Sequence, residues 1–139
     1  MKKCNCYIEE NKPTTIYYAH HQWKYGTKIE EYELDLIKKN FPNAVIFNPA
    51  TELKTEGKSE YEIMEECLKI VEKSDMVIFS CMDGMIGIGV YEEVEKAKAA
   101  GKLTLCISQN RLRTEFIIWE SPEFNSNRLY ARVGVPMFD

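Results

Sequence analysis

A buried strand, a glycine-rich loop and the start of a helix follow one another in Asp75-Met-Val-Ile-Phe-Ser-Cys-Met-Asp-Gly-Met-Ile-Gly-Ile-Gly-Val-Tyr-Glu-Glu93. The short apolar run from Met76 to Phe79 is typical of a strand buried on both faces in a parallel sheet. Gly84, Gly87 and Gly89 allow the following backbone to turn sharply and to approach a ligand closely. The segment therefore predicts a strand-loop-helix unit with a binding loop at its centre.

Two neighbouring carboxylates, Glu92 and Glu93, fall in the first turn of the helix, which we expect to begin near Val90. The positive end of the helix dipole favours the ionised form of a carboxyl group there. An ionised carboxylate beside a gap the size of a sugar or phosphate is a candidate nucleophile. Acidic residues are also common in first turns because of the dipole alone, so their position leaves both interpretations open.

Predicted strands and helices alternate along the whole chain. The predicted strands are Thr15–Ala19, Ala44–Phe47, Met76–Phe79 and Leu103–Ile107, with 116–119 as a further candidate. The predicted helices are 28–40, a second one capped by Ser59, and 90–100. This order predicts a single α/β domain over 1–139, with a parallel, Rossmann-like or flavodoxin-like sheet flanked by helices. Residues 1–13 and 125–139 are expected to be tails, the second one a candidate for a subunit interface.

Capping residues and apolar spacing define the helices further. Thr27 is a predicted N-cap, and Ser59 with Glu62 has the spacing of a capping box. One set of apolar residues is expected to face the core from each helix. These sets are Ile29, Tyr32, Leu36 and Ile37 in the first helix, Ile63, Cys67, Ile70 and Val71 in the second, and Val90, Val94 and Ala97 in the third.

Composition excludes several classes of function. A formal net charge of −4 argues against binding to a nucleic-acid backbone, which normally requires a basic face. No apolar run has the length of a membrane span, and the Lys-Lys start is not followed by an apolar signal region, so we expect a cytoplasmic protein. Cys4 and Cys6 lack the usual spacing of zinc ligands, and we expect no metal.

Ligands of parallel α/β sheets bind beyond the carboxyl ends of the strands, where three predicted loops converge. In the first loop, Trp23 and Tyr25 are suited to stacking on a base, and His20, His21 and Lys24 to meeting a phosphate or ring nitrogen. The alternative is that this loop merely covers the core. Further candidate binding residues in the other two loops are Asn48, Asp83, Gly87 and Gly89. The spacing of glycines does not fit a dinucleotide-binding fingerprint.

Taken in order, these features resemble the nucleoside 2-deoxyribosyltransferase family, which includes 2'-deoxynucleoside 5'-phosphate N-hydrolases. The resemblance covers about residues 15 to 108. It rests on Asp75-Met-Val-Ile-Phe79, Gly89-Val-Tyr-Glu-Glu93, Ala97 and Gly101-Lys102, and on Ile16-Tyr-Tyr-Ala-His20, which is similar to the family's first strand and its sugar- or phosphate-binding loop. Tyr18 is a candidate binding residue on that basis.

The resemblance implies cleavage of an N-glycosidic bond in a nucleoside or nucleotide, without a cofactor, by a homodimer or larger assembly. The nucleophile corresponds to Glu93, with Glu92 as the next candidate. The family's additional aspartate corresponds to Cys67, so Glu66 or a loop histidine, notably His20, is a candidate acid. Two alternatives stay open: a glycohydrolase acting on NAD-like molecules, and a nucleotide-binding or sensing domain without enzymatic activity.

Overall fold

A computed structural model describes residues 13–120 and 129–135. The strands are β1 (Thr15–Ala19), β2 (Val45–Phe47), β3 (Met76–Ser80), β4 (Met85–Ile86), β5 (Leu103–Ser108), β6 (Arg111–Arg113), β7 (Ile117–Glu120) and β8 (Ala131–Gly134). The helices are α1 (Lys28–Asn40), α2 (Pro49–Glu52), α3 (Glu60–Lys73) and α4 (Ile88–Ala99), and a 3-10 turn covers Gln22–Lys24. None of these helices combines the length and hydrophobicity needed to span a bilayer.

The central sheet has five strands in the order β2-β1-β3-β5-β6. The first four are parallel, and β6 returns antiparallel to β5 through a turn at Gln109 and Asn110, which both have left-handed backbone conformations. The predicted α/β class and the predicted parallel sheet flanked by helices are confirmed. The short α2, β4 and β6 have too few residues for a periodic pattern and were not predicted.

A second, smaller sheet of three antiparallel strands has the order β4-β8-β7. The candidate strand at 116–119 is thus a strand, shifted by one residue, but it does not belong to the parallel sheet. Its partner β8 comes from the predicted C-terminal tail, and the Tyr130 amide donates to the Ile86 carbonyl at 2.8 Å. This part of the tail packs on its own chain. The rest of it, including Phe138, lies outside the described residues, as does the 1–12 segment with Cys4 and Cys6.

Side chains on the two faces of the central sheet form two separate cores. Tyr17, Val77 and Phe79 face α3 and α4, whereas Tyr18 and Ile78 face α1. This separation follows from the two-residue period of a strand, which sends neighbouring side chains to opposite faces. All five of these residues are fully buried.

The predicted caps are confirmed, because the Thr27 side chain accepts the Glu30 amide and Ser59 forms the full capping box with Glu62. The predicted inner faces of the second and third helices also face the core, with Cys67, Val71, Val90, Val94 and Ala97 buried and Ile63 and Ile70 packed against them.

The predicted inner face of the first helix is partly wrong. Ile29 and Tyr32 are 57% and 50% exposed, while Glu30 and Glu33 are buried beside Ile37. Relative to the predicted orientation, the helix is rotated about its axis so that Glu30 and Glu33 face the protein interior. There the two glutamates pair with the buried side chains of His20 and Lys24, and a hydrophobic pattern cannot reveal such pairs.

Helix α4 begins at Ile88 with Gly87 as its N-cap, two residues earlier than predicted. Glu92 and Glu93 therefore lie beyond the first turn, and the predicted support from the helix dipole is wrong because that effect fades within one turn. The short strand β4 ends at Ile86, and the helix cap at Gly87 follows it directly, so the helix starts earlier than predicted.

Candidate functional site

A cleft of about 480 Å³ opens at the carboxyl edge of the central sheet, on the face covered by α3 and α4. Three segments that each follow a strand converge on it: the loop after β1, the segment around α2, and the start of α4. Its apolar wall consists of Pro49, Leu53, Ile63, Met64 and Val90. Its polar lining comprises His20, His21, Gln22, Tyr25, Thr55, Glu60, Cys67 and Glu93.

Glu93 lines this cleft and is only 7% exposed. The Tyr17 hydroxyl donates to its Oε2 at 2.6 Å. Burial raises the pKa of Glu93 to about 7, against the opposing effect of the Tyr17 hydrogen bond. The cleft thus holds an oriented carboxyl group that changes charge near neutral pH.

Cys67 borders both Glu93 and Tyr17. Burial, followed by the negative charge of Glu93, raises the pKa of the Cys67 thiol to about 11. The thiol is therefore neutral at physiological pH and acts as a small polar neighbour of Glu93. Glu66, one residue earlier, is instead paired with Lys58 at 2.6 Å and is not part of the cleft lining.

His20 contributes to the cleft wall, but both of its ring nitrogens are engaged within the protein. Nδ1 lies 3.2 Å from the Tyr18 carbonyl oxygen and Nε2 lies 2.7 Å from Glu30 Oε2. Burial lowers the pKa of His20 although both contacts favour its charged form. Burial acts to raise the pKa of Glu30, but hydrogen bonds from His20 and the Gly26 amide outweigh it, and the net pKa is lowered. These contacts hold the His20 ring in one orientation and occupy both of its nitrogens, which does not favour proton exchange with a ligand in the cleft.

Besides His20, the loop after β1 brings two further candidate residues, His21 and Tyr25, into the cleft lining. His21 Nδ1 accepts the Trp23 amide at 3.0 Å, which fixes the ring at the start of the 3-10 turn. Tyr25 packs against His20 with ring centroids 4.9 Å apart. Trp23 lies outside the lining, 46% exposed and beside His21. The loop therefore lines the cleft with one phenol and two imidazoles, those of His20 and His21.

Lys24 and Tyr18 are buried on the opposite face of the sheet, away from the cleft. The Lys24 ammonium donates to Glu33 Oε2 at 3.0 Å, to Ser80 Oγ at 3.0 Å and to the Cys81 carbonyl at 2.9 Å. The Tyr18 hydroxyl donates to the other oxygen of Glu33 at 2.5 Å. These two candidate binding residues form a buried network under α1, and this placement corrects their expected location at the ligand.

Of the remaining candidate residues, two line the cleft and three lie outside its lining. Gly87 and Gly89 line the cleft at the start of α4, and a Cβ at Gly89 would meet no atom within 4 Å. Asn48 is buried and caps α2 by accepting the Ala50 amide. Asp83 is exposed in a left-handed turn with Gly84, and Glu92 is exposed on α4 outside the lining.

Sequence reasoning missed Tyr17 and the acidic residue Glu60 as parts of this site. Tyr17 had only an ambiguous signal, because side chains of β1 alternate between the two faces and either Tyr17 or Tyr18 could have faced the cleft. Glu60 had none, since the first residue of a capped helix is ordinarily a solvated acidic residue.

Comparison by sequence finds no matching family model and no matching curated protein. Among solved structures, the chain is similar to a conserved protein from Enterococcus faecalis V583, with a TM-score of 0.57 and 17% identity. It is also similar to a 2-desoxiribosyltransferase from Leishmania mexicana, with a TM-score of 0.51 and 19% identity. Each match covers 68% of this chain and 63% of the other, so the chain spans less than two thirds of either neighbour. The likeness establishes a shared α/β fold.

Proposed function

We propose that this protein cleaves or transfers at the N-glycosidic bond of a nucleoside or nucleotide, with Glu93 as the nucleophile. The observation that carries the proposal is the buried Glu93 carboxyl group in the cleft lining, which accepts a hydrogen bond from the Tyr17 hydroxyl at 2.6 Å. The fold shared with a 2-desoxiribosyltransferase supports it. A lining that combines apolar and polar side chains suits a flat heterocycle joined to a sugar.

The chemistry follows from the position of this carboxylate. An ionised Glu93 oxygen attacks the anomeric carbon as the bond from that carbon to the base nitrogen breaks, and the bonding electrons leave with the base. The resulting ester to Glu93 is then opened by water, which gives hydrolysis, or by the nitrogen of a second base, which gives transfer. A hydrogen bond from Tyr17 keeps one carboxyl oxygen fixed while the other reacts.

Release of free base is the direct test. The protein is incubated with 2'-deoxynucleosides, their 5'-monophosphates and NAD, and the products are separated by chromatography. We expect Glu93→Gln to abolish release, whereas Glu92→Gln, an equal change of charge at an exposed neighbour, retains it. Addition of a second base separates a transferase, which forms a new nucleoside, from a hydrolase. Full release by the Glu93→Gln variant would refute the role of this residue.

A nucleoside-sensing domain without catalysis is the second candidate, and Cys67 is the observation that favours it. The resemblance places an aspartate where this chain has a neutral thiol beside Glu93. Nucleoside binding without base release, unaffected by Glu93→Gln, would identify a sensor. Base release gained by Cys67→Asp would show that the thiol alone silences the site.

We also propose that the chain assembles as a homodimer or larger homo-oligomer, as the resemblance implies. Light scattering coupled to size-exclusion chromatography measures the assembled mass directly. A monomeric mass across the micromolar range would contradict this proposal without bearing on the role of Glu93.

A further inference from the structure

The charged groups that line the cleft carry one sign. Among the lining residues in the described part of the chain, Glu60 and Glu93 are acidic and none is lysine or arginine. Glu60 is the first residue of α3, and it is exposed. The nearest basic residue of the loop after β1, Lys24, is bound to Glu33 on the other face of the sheet. A phosphate would find no side-chain cation here, whereas a cation would find carboxylates.

The described lining also offers no suitable proton for a departing base. A neutral purine or pyrimidine leaves as an anion unless an acid protonates it. Both nitrogens of His20 are engaged, by the Tyr18 carbonyl and by Glu30. His21 Nδ1 accepts the Trp23 amide, so protonation of that nitrogen would break an existing hydrogen bond.

The remaining groups near Glu93 are weak acids. The pKa of the Cys67 thiol is raised to about 11, first by burial and then by Glu93. The pKa of the Tyr25 phenol is also raised, by burial and by the same carboxylate. Neither group donates a proton readily at neutral pH, which makes protonation the difficult step for a neutral leaving base.

We infer that the preferred substrate is an N-glycoside whose heterocycle carries a permanent positive charge, such as a pyridinium or an N7-alkylated purine nucleoside without a phosphate. This inference rests on the proposed function. Glu93 attacks the anomeric carbon, the bond to the cationic ring nitrogen breaks, and its electron pair neutralises the ring. The base leaves neutral, and no proton is required. Water then opens the ester, restores the Glu93 carboxylate and releases one proton.

The test compares substrates that differ by one methyl group. Adenosine is paired with 7-methyladenosine, and 2'-deoxyadenosine with 7-methyl-2'-deoxyadenosine, so that both sugars are covered. Non-enzymatic release is subtracted, and kcat and KM are measured for each. We expect the methylated nucleoside to have a KM lower by about tenfold, as an order of magnitude for attraction between opposite charges near a protein surface.

Glu60→Gln separates charge recognition from the greater intrinsic lability of cationic glycosides. We expect it to raise KM about fivefold for the methylated nucleosides and to leave KM for the neutral ones unchanged. Glu65→Gln is the matched control, because Glu65 is an exposed acidic residue of the same helix outside the cleft lining.

Equal KM values for charged and neutral nucleosides, with Glu60→Gln affecting neither, would overturn this inference while leaving the proposed function intact. Faster release from 5'-monophosphates than from any nucleoside would also overturn it. Release from none of the substrates would refute both proposals together.

Discussion

Removal of the Tyr17 hydroxyl by Tyr17→Phe should shift the pH dependence of base release to higher pH. The hydroxyl donates to Glu93 Oε2 at 2.6 Å and favours its ionised form. A hydrogen bond to a charged group contributes about 1.5–3 kcal/mol, and each pKa unit corresponds to about 1.4 kcal/mol. The pKa of Glu93, raised by burial to about 7, should therefore rise by a further one to two units or so in the variant.

The assay is kcat/KM for base release between pH 5 and pH 10. Because the nucleophile must be ionised, release should increase with pH and reach half its maximum near pH 7 in the wild type. In Tyr17→Phe the midpoint should lie near pH 8–9, so release at pH 7 falls by roughly 5- to 50-fold and recovers in alkaline solution.

Tyr18→Phe is the matched control. The Tyr18 side chain lies on the opposite face of the same strand and is equally buried, and its hydroxyl donates to Glu33 at 2.5 Å. We expect this variant to lose comparable stability without any change in the pH midpoint. An unchanged midpoint in Tyr17→Phe, or the same shift in both variants, would refute the assignment of Tyr17 to Glu93.

Three further predictions concern stability. Glu93→Gln should raise the free energy of unfolding at pH 8 by up to about 3 kcal/mol and leave it unchanged at pH 4, as measured by urea denaturation. The reason is that the folded-state pKa of about 7 exceeds the ordinary value of 4.5, so the stability of the wild type declines as pH rises between these values. Equal effects at both pH values would contradict this. Lys24→Met should lower the free energy of unfolding by about 3–5 kcal/mol, because it leaves the buried Glu33 charge without its cationic partner, and adding Glu33→Gln should recover part of this loss. A loss below about 1 kcal/mol would show that the pair is not buried in solution. Ser59→Ala should lower stability by about 1 kcal/mol, seen as a lower thermal midpoint, since it removes the acceptor for the Glu62 amide; an unchanged midpoint would mean that α3 does not depend on its cap.

The central architecture was predictable because it depends on local patterns. Buried apolar runs identified β1, β3 and β5, and the caps at Thr27 and Ser59 located the starts of α1 and α3. Alternation of these elements was enough to predict parallel pairing. The smaller sheet was not predictable, because β8 pairs with β4 and β7 through contacts that no local period encodes.

The candidate site was predictable in part. The rule that ligands bind beyond the carboxyl ends of parallel strands predicted that Gly87, Gly89 and His21 lie close together, and these residues line one cleft with Glu93. It could not distinguish Tyr17 from Tyr18, since two adjacent aromatic residues fit a buried strand in either phase. Nor could it show that Lys24 forms a buried ion pair with Glu33, because a lysine in a loop ordinarily remains in solvent.

The sequence by itself determined the strands β1, β2, β3 and β5, the three long helices, their order and the acidic residue after the glycine loop, because these depend on spacing between near neighbours. Tertiary structure alone decided the chemistry of that residue. Burial of Glu93, its hydrogen bond from Tyr17, 76 positions away in the chain, and the neutral thiol of Cys67 beside it all arise when α3 and α4 close over β1. The affinity of a carboxyl group for its proton depends on the solvent and partners around it, and the folded chain supplies both.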